Sequence, residues 1–545
     1  MKWFGALLHA SRVLYLASGL LGLLAAVLVI YQLPRFADAA RWNSDAAAPS
    51  VLVDSLASGG LAEDPTVLGE ISSYSTILLF RATHWLPHHH AVWGAIPYTV
   101  TLIGILFMVL GVRRVSGWGA GMVTGALGTA TSLDVLFTQV APAFHGTTWL
   151  TVGLLSFTLV WLAAPERRAG VKMWVVTLGL GVVVGLNLVS DPLLLIVGVV
   201  PFLVAAALTR RRGRLDGKTS RLVHATWLTA GVGLAVALIV DLGMRASDKM
   251  TSRRVRGDGY VELANPHELA SHLQQLWRNL LGLFGVARGE SLPRHWYGYL
   301  VLLAGLLGIV ALGYAYVRAL SRTPLAPEWR AHCAFWATSA MLLVGAYVVS
   351  GIPDASVTDT TTVRYLVPLV LAVAAVAPVW AARHPRRQVL VGFGSVLIVA
   401  LGVSGIASGE LADIREASPL ARQAPRIEAW LTEHRTRTGY GGYWSALALT
   451  SQTRLVVRAV EQCGTDRTPT LCPRRINTRR GWYRPTRAAR TFILVDTRRR
   501  EEPTPAIIAN APDLGAPSET GEFNGFTVFV YDYDVGTRIG EWPTR

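Results

Sequence analysis

The segment "RWNSDAAAPSVLVDSLASGG", residues 41–60, places two carboxylates, Asp45 and Asp54, directly after an apolar run long enough to cross a bilayer. A carboxylate in a partly desolvated cleft can take the proton from an attacking hydroxyl. Asn43 or Ser44 is a helix cap by type and place. Gly59 and Gly60 are the expected stop. Asp45 then falls in the first turn, where a negative charge also simply favours the helix dipole. Asp54 lies about half a turn out of phase on an ideal helix. The two acids therefore do not share a face and do not make a two-acid site by themselves.

A second set of residues has the chemistry to hold an anion. "MRASDKMTSRRVRGDGY" carries Arg245, Lys249, Arg253, Arg254 and Arg256, with Arg288, Arg294 and His295 before the next apolar run and Arg364 at the mouth of a later one. Guanidinium groups bind phosphate oxygens bidentately. The same cluster would equally suit contact with anionic lipid headgroups. Three more polar residues fall at or near the ends of apolar runs: Asp134, His145 in "FHGTTW" and Asp191 in "SDP". Ionisable groups there are functional candidates. Asp134 stands out because it sits within an apolar run. Asp191 also reads as a turn or cap before Pro192, and His145 as a ligand contact or an interface anchor. The "HHH" at 88–90 cannot aim three adjacent rings at one metal from a helix and reads as an interfacial polar cap.

The elements that position these residues follow from composition. The 545-residue chain is 52% hydrophobic and 16% charged, against about a quarter charged in soluble proteins. Apolar runs near the length of a membrane span recur at 12–32, 91–111, 117–136, 147–164, 172–189, 193–209, 222–243, 297–317, 333–351, 364–381 and 388–408. The first is too long for a cleaved signal peptide and lacks a small-residue cleavage pattern. The net charge of +16 sits largely in short turns: Lys2/Arg12, Arg113/Arg114, Arg167/Arg168/Lys172, Arg210 to Arg214, Arg318/Arg322/Arg330 and Arg383/Arg386/Arg387. This is the positive-inside pattern at every second span end, and it replaces nucleic acid as the explanation of the charge. It predicts a polytopic α-helical membrane protein of about eleven spans with its N-terminus in the cytoplasm. Loops 33–90 and 244–296 and the segment 409–545 then lie outside. No internal repeat is visible.

Residues 1–408 thus form a transmembrane module and 409–545 a small extracytoplasmic α/β domain. In the latter, "PRIEAWLTEHR" has the spacing of a short amphipathic helix. "RLVVRAV", "TFILVD" and "FTVFVYDYD" read as strands, three or four in all. Cys463 and Cys472 enclose eight residues, a loop that a disulfide can close in an oxidising exterior. In the first loop, "SYSTILLFRATHWLP" is a second amphipathic stretch. Ile77, Leu78, Phe80 and Trp85 are expected flat in the interface, with Arg81 and His84 toward headgroups. Trp42, Trp93, Trp149, Tyr260, Trp296 and Tyr297 fit an interfacial belt. Tyr443 and Trp444, in the tail, fall outside that belt and are candidates for stacking on a ligand.

The arrangement resembles the GT-C superfamily of membrane glycosyltransferases. The likeness covers the bundle, a first outer loop of two interfacial helices with an early acid, and the outer C-terminal domain. "RYLVPLVLAVAAV" at 364–376 resembles a late span of bacterial members. "GYGGYWSALALTSQTRLVV" at 439–457 resembles a tail string of some. The resemblance implies a place in a bacterial plasma membrane, a polyprenyl-phosphate-linked sugar donor, a cell-envelope acceptor, and Asp45 as general base on the acceptor hydroxyl. The leaving lipid phosphate would be held by Arg253, Arg254, Arg256 and Arg364. Asp54, Asp134, His145 and Asp191 are secondary candidates. Many members double the first-loop acid; here Asp45 stands between Ser44 and Ala46, so a divalent cation is an open question and no cofactor is otherwise implied. Two other classes use such a bundle. A lipid or glycan transporter or flippase predicts repeats and broken helices at the midplane, and a non-catalytic envelope scaffold predicts no acid-dependent activity.

Overall fold

The structure, a computed structural model, describes residues 2–59, 66–68, 73–83, 85, 90–141, 145–164, 170–212, 217–247, 250–252, 263–285, 296–321, 323–353, 360–408, 418–465, 468–474, 476–486, 488–498 and 503–540. The expectations for His84, His88, His89, Lys249, Arg253, Arg254, Arg256, Tyr260, Arg288, Arg294 and His295 lie outside these residues. In chain order the helices up to residue 407 are α1 (Lys2–Ala40), α2 (Ser44–Gly59), α3 (Ser73–Ala82), α4 (His90–Ser116), α5 (Trp118–Thr129), α6 (Leu133–Val140), α7 (Gly146–Ala163), α8 (Val171–Ser190), α9 (Val200–Arg212), α10 (Gly217–Ser247), α11 (Leu269–Leu283), α12 (Trp296–Leu320), α13 (Pro327–Val349), α14 (Val367–Ala381) and α15 (Pro385–Ala407). Among the described residues nine are long and apolar enough to cross a membrane. They are α1, α4, α7, α8, α10, α12, α13, α14 and α15, each on an expected interval. The chain is an integral membrane protein.

Packing follows from side-chain size and polarity. α14, with no polar side chain and many alanines, is buried along nearly its whole length against α5, α12, α13 and α15. α1 instead turns Leu16, Leu20, Leu23, Val27 and Tyr31 outward and buries Ala25 and Val29, as a helix at the lipid boundary should. α4 and α7 cross with backbones touching. A Cβ on Gly104 would lie 2.8 Å from the Trp149 carbonyl oxygen, and one on Gly153 would collide with the Gly104 carbonyl.

Two expected spans differ from single helices. Over 117–136 the chain forms α5 and α6, bent by 84°. The break sits at "TATS": Thr131 turns its hydroxyl onto the Leu127 carbonyl, and Ser132 caps α6 by accepting from Val135 N–H at 3.2 Å, so side chains take over the backbone bonds. Over 193–209 a π-turn, Leu195–Val199, precedes α9. Pro201 has no N–H for the Val197 carbonyl; the Ser339 hydroxyl donates to it instead at 2.8 Å.

Contacts fix how these two segments run. His145, at the start of α7, bonds Asp191, at the end of α8, and packs on Tyr365. The neighbouring Arg364 pairs with Asp45 in the first loop. These ends share one face of the bundle. α4 leaves that face, so α5 and α6 must return to it before α7. The three-residue strands β1 (Thr66–Leu68) and β2 (Met250–Ser252) pair in parallel, which brings the end of α10 to the same face. The segment from Asp191 to Arg212 must therefore cross as well. The basic turns at Arg113/Arg114, Arg210–Arg212 and Arg383–Arg387 lie at the opposite ends of these helices.

The tail holds β3 (Thr438–Gly441), β4 (Val456–Thr465), β5 (Thr468–Pro473), β6 (Thr478–Arg479), β7 (Thr491–Asp496), β8 (Glu519–Phe523) and β9 (Phe526–Tyr531). One sheet has six strands, not three or four, in the order β5-β4-β3-β7-β9-β8. The short edge strands β5 and β8 lack the apolar runs that revealed β4, β7 and β9. β3, β4 and β7 are parallel and the outer pairs antiparallel. β6 pairs antiparallel with β1, so a three-stranded sheet ties both loops to the tail on one face of the membrane. Cys463 and Cys472 are joined, with Cα atoms 5.9 Å apart, across the β4–β5 pair. Cys333 is the free cysteine and is buried.

Candidate active site

α2 carries Asp45 and is clamped to the tail at both ends. Before it, Arg41 donates to Ser451 Oγ at 2.8 Å. Near its end, Arg479 donates to the Ser55 carbonyl at 2.6 Å and Trp482 Nε1 to Ser55 Oγ at 2.9 Å. Between these, Ala47 and Ala48 are buried with Ala446, Ala448 and Leu449 of the tail helix Tyr443–Gln452. Small side chains let the two helices approach closely. The next turn buries Leu52 and Val53 with Ile77 and Phe80 of α3. This corrects the reading of α3 as flat in the interface. Ile77 and Phe80 face protein, whereas Leu78 and Trp85 are exposed.

The α2 cap is Asn43, whose Oδ1 accepts from the Asp45 N–H at 2.9 Å. Ser44 turns away and donates to the Tyr443 carbonyl at 2.6 Å. The Asp45 side chain remains one-quarter exposed. Tyr443 Oη donates to Asp45 Oδ1 at 2.6 Å, and Asn477 Nδ2 donates to that phenol oxygen at 2.8 Å. Burial, and then the negative charge of Asp45, push the Tyr443 phenol well above its ordinary value. It therefore stays a donor at every working pH, and Oδ2 is the oxygen of Asp45 facing elsewhere. Arg364 Nη1 lies 3.8 Å from Oδ2, an ion pair longer than a direct hydrogen bond.

The tail sheet explains why Tyr443 stands here. β3 has parallel neighbours on both sides, so the chain reverses direction of progress at β3. Gly442 and Tyr443 follow its carboxyl end. Open α/β sheets bind ligands in the crevice at such a reversal, and in this chain Asp45 is seated there.

Arg364 belongs to a 3-10 turn, Thr360–Leu366, that leads into α14. Its Nη2 donates to Tyr365 Oη at 3.2 Å, and its guanidinium lies 5.0 Å from the Tyr365 ring centre. The Tyr365 and His145 rings also meet edge-on, centroids 5.4 Å apart. His145 Nδ1 meets Asp191 Oδ2 at 2.6 Å, both side chains buried. Thr148 donates its hydroxyl to the same oxygen, and the Leu193 N–H donates to Oδ1 at 3.1 Å. Burial pushes the Asp191 carboxyl up, but the charge and hydrogen bond of His145 and the other two donors outweigh it, leaving the pKa below the ordinary value.

Four separately chosen residues, Asp45, Arg364, His145 and Asp191, thus meet in one contact series with Tyr365 as the link. Asp54 is exposed on α2, out of phase with Asp45 as the helix period requires. Asp134 sits in the first turn of α6, which packs against the turn bearing Arg364. Trp149 is buried against the His145 ring, not part of an interfacial belt. Tyr365 and Asn477 had no signal in the sequence; Tyr443 had one, as an aromatic, but for stacking. Among the described residues no group of three or more His, Cys, Asp or Glu side chains is disposed to hold a metal.

No protein-family model matches the chain, and no curated protein matches it. Among solved structures it is similar to ArnT from Cupriavidus metallidurans in the apo state, with 13% identity over 92% of this chain and 94% of that one, TM-score 0.39. It is also similar to the Archaeoglobus fulgidus oligosaccharyltransferase in complex with zinc and sulfate, with 11% identity over 72% of this chain and 53% of that one, TM-score 0.34.

Proposed function

We propose that this chain is a membrane glycosyltransferase of the GT-C type. It moves a sugar, hexosyl or pentosyl, from a polyprenyl-phosphate donor to a cell-envelope glycan, lipid or protein. One observation carries the reading. The two strings behind the family resemblance, 75 residues apart from Arg364 to Gly439 in the sequence, converge on Asp45: Arg364 opens one and Tyr443 lies in the other. The opposite position of the basic turns supports an outward-facing site by the positive-inside rule.

In this reaction the acceptor oxygen attacks the anomeric carbon while its proton passes to Asp45. The bond from that carbon to the donor phosphate oxygen breaks, and its electron pair leaves on the phosphate. Tyr443, held as a donor on Oδ1, leaves Oδ2 to receive the proton. Arg364 brings positive charge beside the reacting centre, where the leaving phosphate gains its charge. Arg253, Arg254 and Arg256 are assigned to the same phosphate on their sequence position in the second loop. The test is release of polyprenyl phosphate from a panel of sugar-loaded donors by the purified protein in nanodiscs. Asp45→Asn should lower turnover by about 10²–10⁴ with donor binding retained. Normal turnover by Asp45→Asn would overturn the assignment.

A further inference from the structure

We infer that Asn477 is a positioning residue for Asp45: its amide sets the direction in which the Tyr443 hydroxyl donates. This rests on the proposed site at Asp45. Asn477 lies 34 residues beyond Tyr443 and is buried. Its backbone is left-handed, φ 52°, a conformation that asparagine adopts more readily than most residues with a side chain. The turn is closed around it, since Thr478 donates its hydroxyl to the Arg474 carbonyl at 2.7 Å. The chain then enters β6 at once. Thr478 pairs with Val67 of β1, and β1 pairs along its length with β2. The backbone that carries the amide is therefore held by a sheet drawn from both outer loops and the tail.

A phenol has one proton to give and lone pairs to receive. Tyr443 gives its proton to Asp45 Oδ1 at 2.6 Å. Its oxygen can only accept in the second bond, and Asn477 meets it with the Nδ2 end of the amide at 2.8 Å. The series runs from amide to phenol to carboxylate, and each donor strengthens the next. A residue that accepted at this place would reverse it. The phenol would face two acceptors with one proton, and Asp45 would lose part of its hold. Oδ1 could then turn, and with it Oδ2, the oxygen assigned to the acceptor proton. The effect should fall on turnover, since a misaimed group costs rate even when it stays nearby.

The experiment compares two substitutions at this one position in nanodiscs, reading kcat per folded protein, donor KM and melting temperature. Asn477→Gly suits the left-handed backbone and removes the amide without adding an acceptor. It should lower kcat by about twofold to tenfold. Asn477→Asp keeps the shape and puts a carboxylate, an acceptor only, where the donor stood. It should lower kcat by about tenfold to a hundredfold, with donor KM within about twofold. The double variant Asn477→Asp/Tyr443→Phe should be no slower than Tyr443→Phe alone, because without the phenol there is no proton to misdirect. If Asn477→Asp does not fold, Asn477→Gly takes its place in this cycle with the same expectation. Wild-type kcat in Asn477→Asp, or an equal loss in both Asn477 variants, would overturn the inference. So would losses that multiply with Tyr443→Phe, which is what an added charge or a packing fault would give. An inactive Asp45→Asn beside a normal Asn477→Asp would sink this inference alone. A normally active Asp45→Asn would remove the site on which it rests.

Discussion

Tyr443 and Asp45 stand 398 residues apart in the chain, yet the phenol donates to the carboxylate at 2.6 Å. The tail thereby completes the site that the first loop begins. Asn477 donates to the same phenol oxygen, so the Tyr443 proton has one direction left to point. Tyr443→Phe should remove a hydrogen bond to a charged group, worth roughly 1.5–3 kcal/mol. The expected result is a drop in kcat of about tenfold to a hundredfold, with donor KM nearly unchanged. Turnover kinetics on the polyprenyl-phosphate donor check this. A change confined to KM would instead mean that the phenol binds substrate.

Asp191 makes a prediction about pH. Its folded-state pKa is depressed, with burial opposed and outweighed by His145, Thr148 and Leu193. Such a group stabilises the fold fully above its unfolded value, near about 3.9, and the contribution is lost as pH falls through the folded value. Asp191→Asn should therefore melt well below wild type at neutral pH, since breaking a buried pair costs roughly 3–5 kcal/mol. The gap should narrow as the pH drops below about 3.9. Melting curves across that range decide it; a gap independent of pH would mean that the variant acts by packing alone.

The arginines proposed to hold the donor phosphate offer a separate measurement. Replacing Arg253, Arg254 and Arg256 together by Gln should weaken donor binding at least about tenfold if they hold phosphate, because one charge-assisted contact is worth roughly 1.5–3 kcal/mol. Binding of the donor to nanodisc-embedded protein reads this directly. Unchanged affinity would return the cluster to contact with lipid headgroups.

The sequence was most informative where physics is local. Apolar length marked the nine single spans among the described residues, and a cap at Asn43 or Ser44, which the structure resolves as Asn43, placed Asp45 in the first turn of α2. The 3.6-residue period separated Asp54 from Asp45. Strands β4, β7 and β9 showed as β-branched runs. What could not be read were contacts made at long range. "TVL" and "MTS" are too short to carry any period, yet as β1 and β2 they join two loops. α3 has the pattern of an interfacial helix, and only the position of α2 turns Ile77 and Phe80 inward. Arg364, His145 and Asp191 were each visible as polar residues at span ends. Tyr365, which links them, looks like any tyrosine after an arginine.

Topology is the remaining test, and it follows from pairing more than from charge. β1 from the first loop, β2 from the second and β6 from the tail form one sheet. Strands that exchange backbone hydrogen bonds cannot be separated by hydrocarbon. Asp54→Cys and Glu522→Cys, both at exposed positions, should therefore react together with a membrane-impermeant maleimide added to intact cells, if the site faces outward as proposed. Arg386→Cys, exposed at the start of α15, should react only after the membrane is opened. Reaction of Arg386→Cys in intact cells, with both others protected, would invert the whole protein and place Asp45 on the cytoplasmic side. A split result, with Asp54→Cys and Glu522→Cys on different sides, would be more damaging. It would break the three-stranded sheet and, with it, the approach of Tyr443 to Asp45.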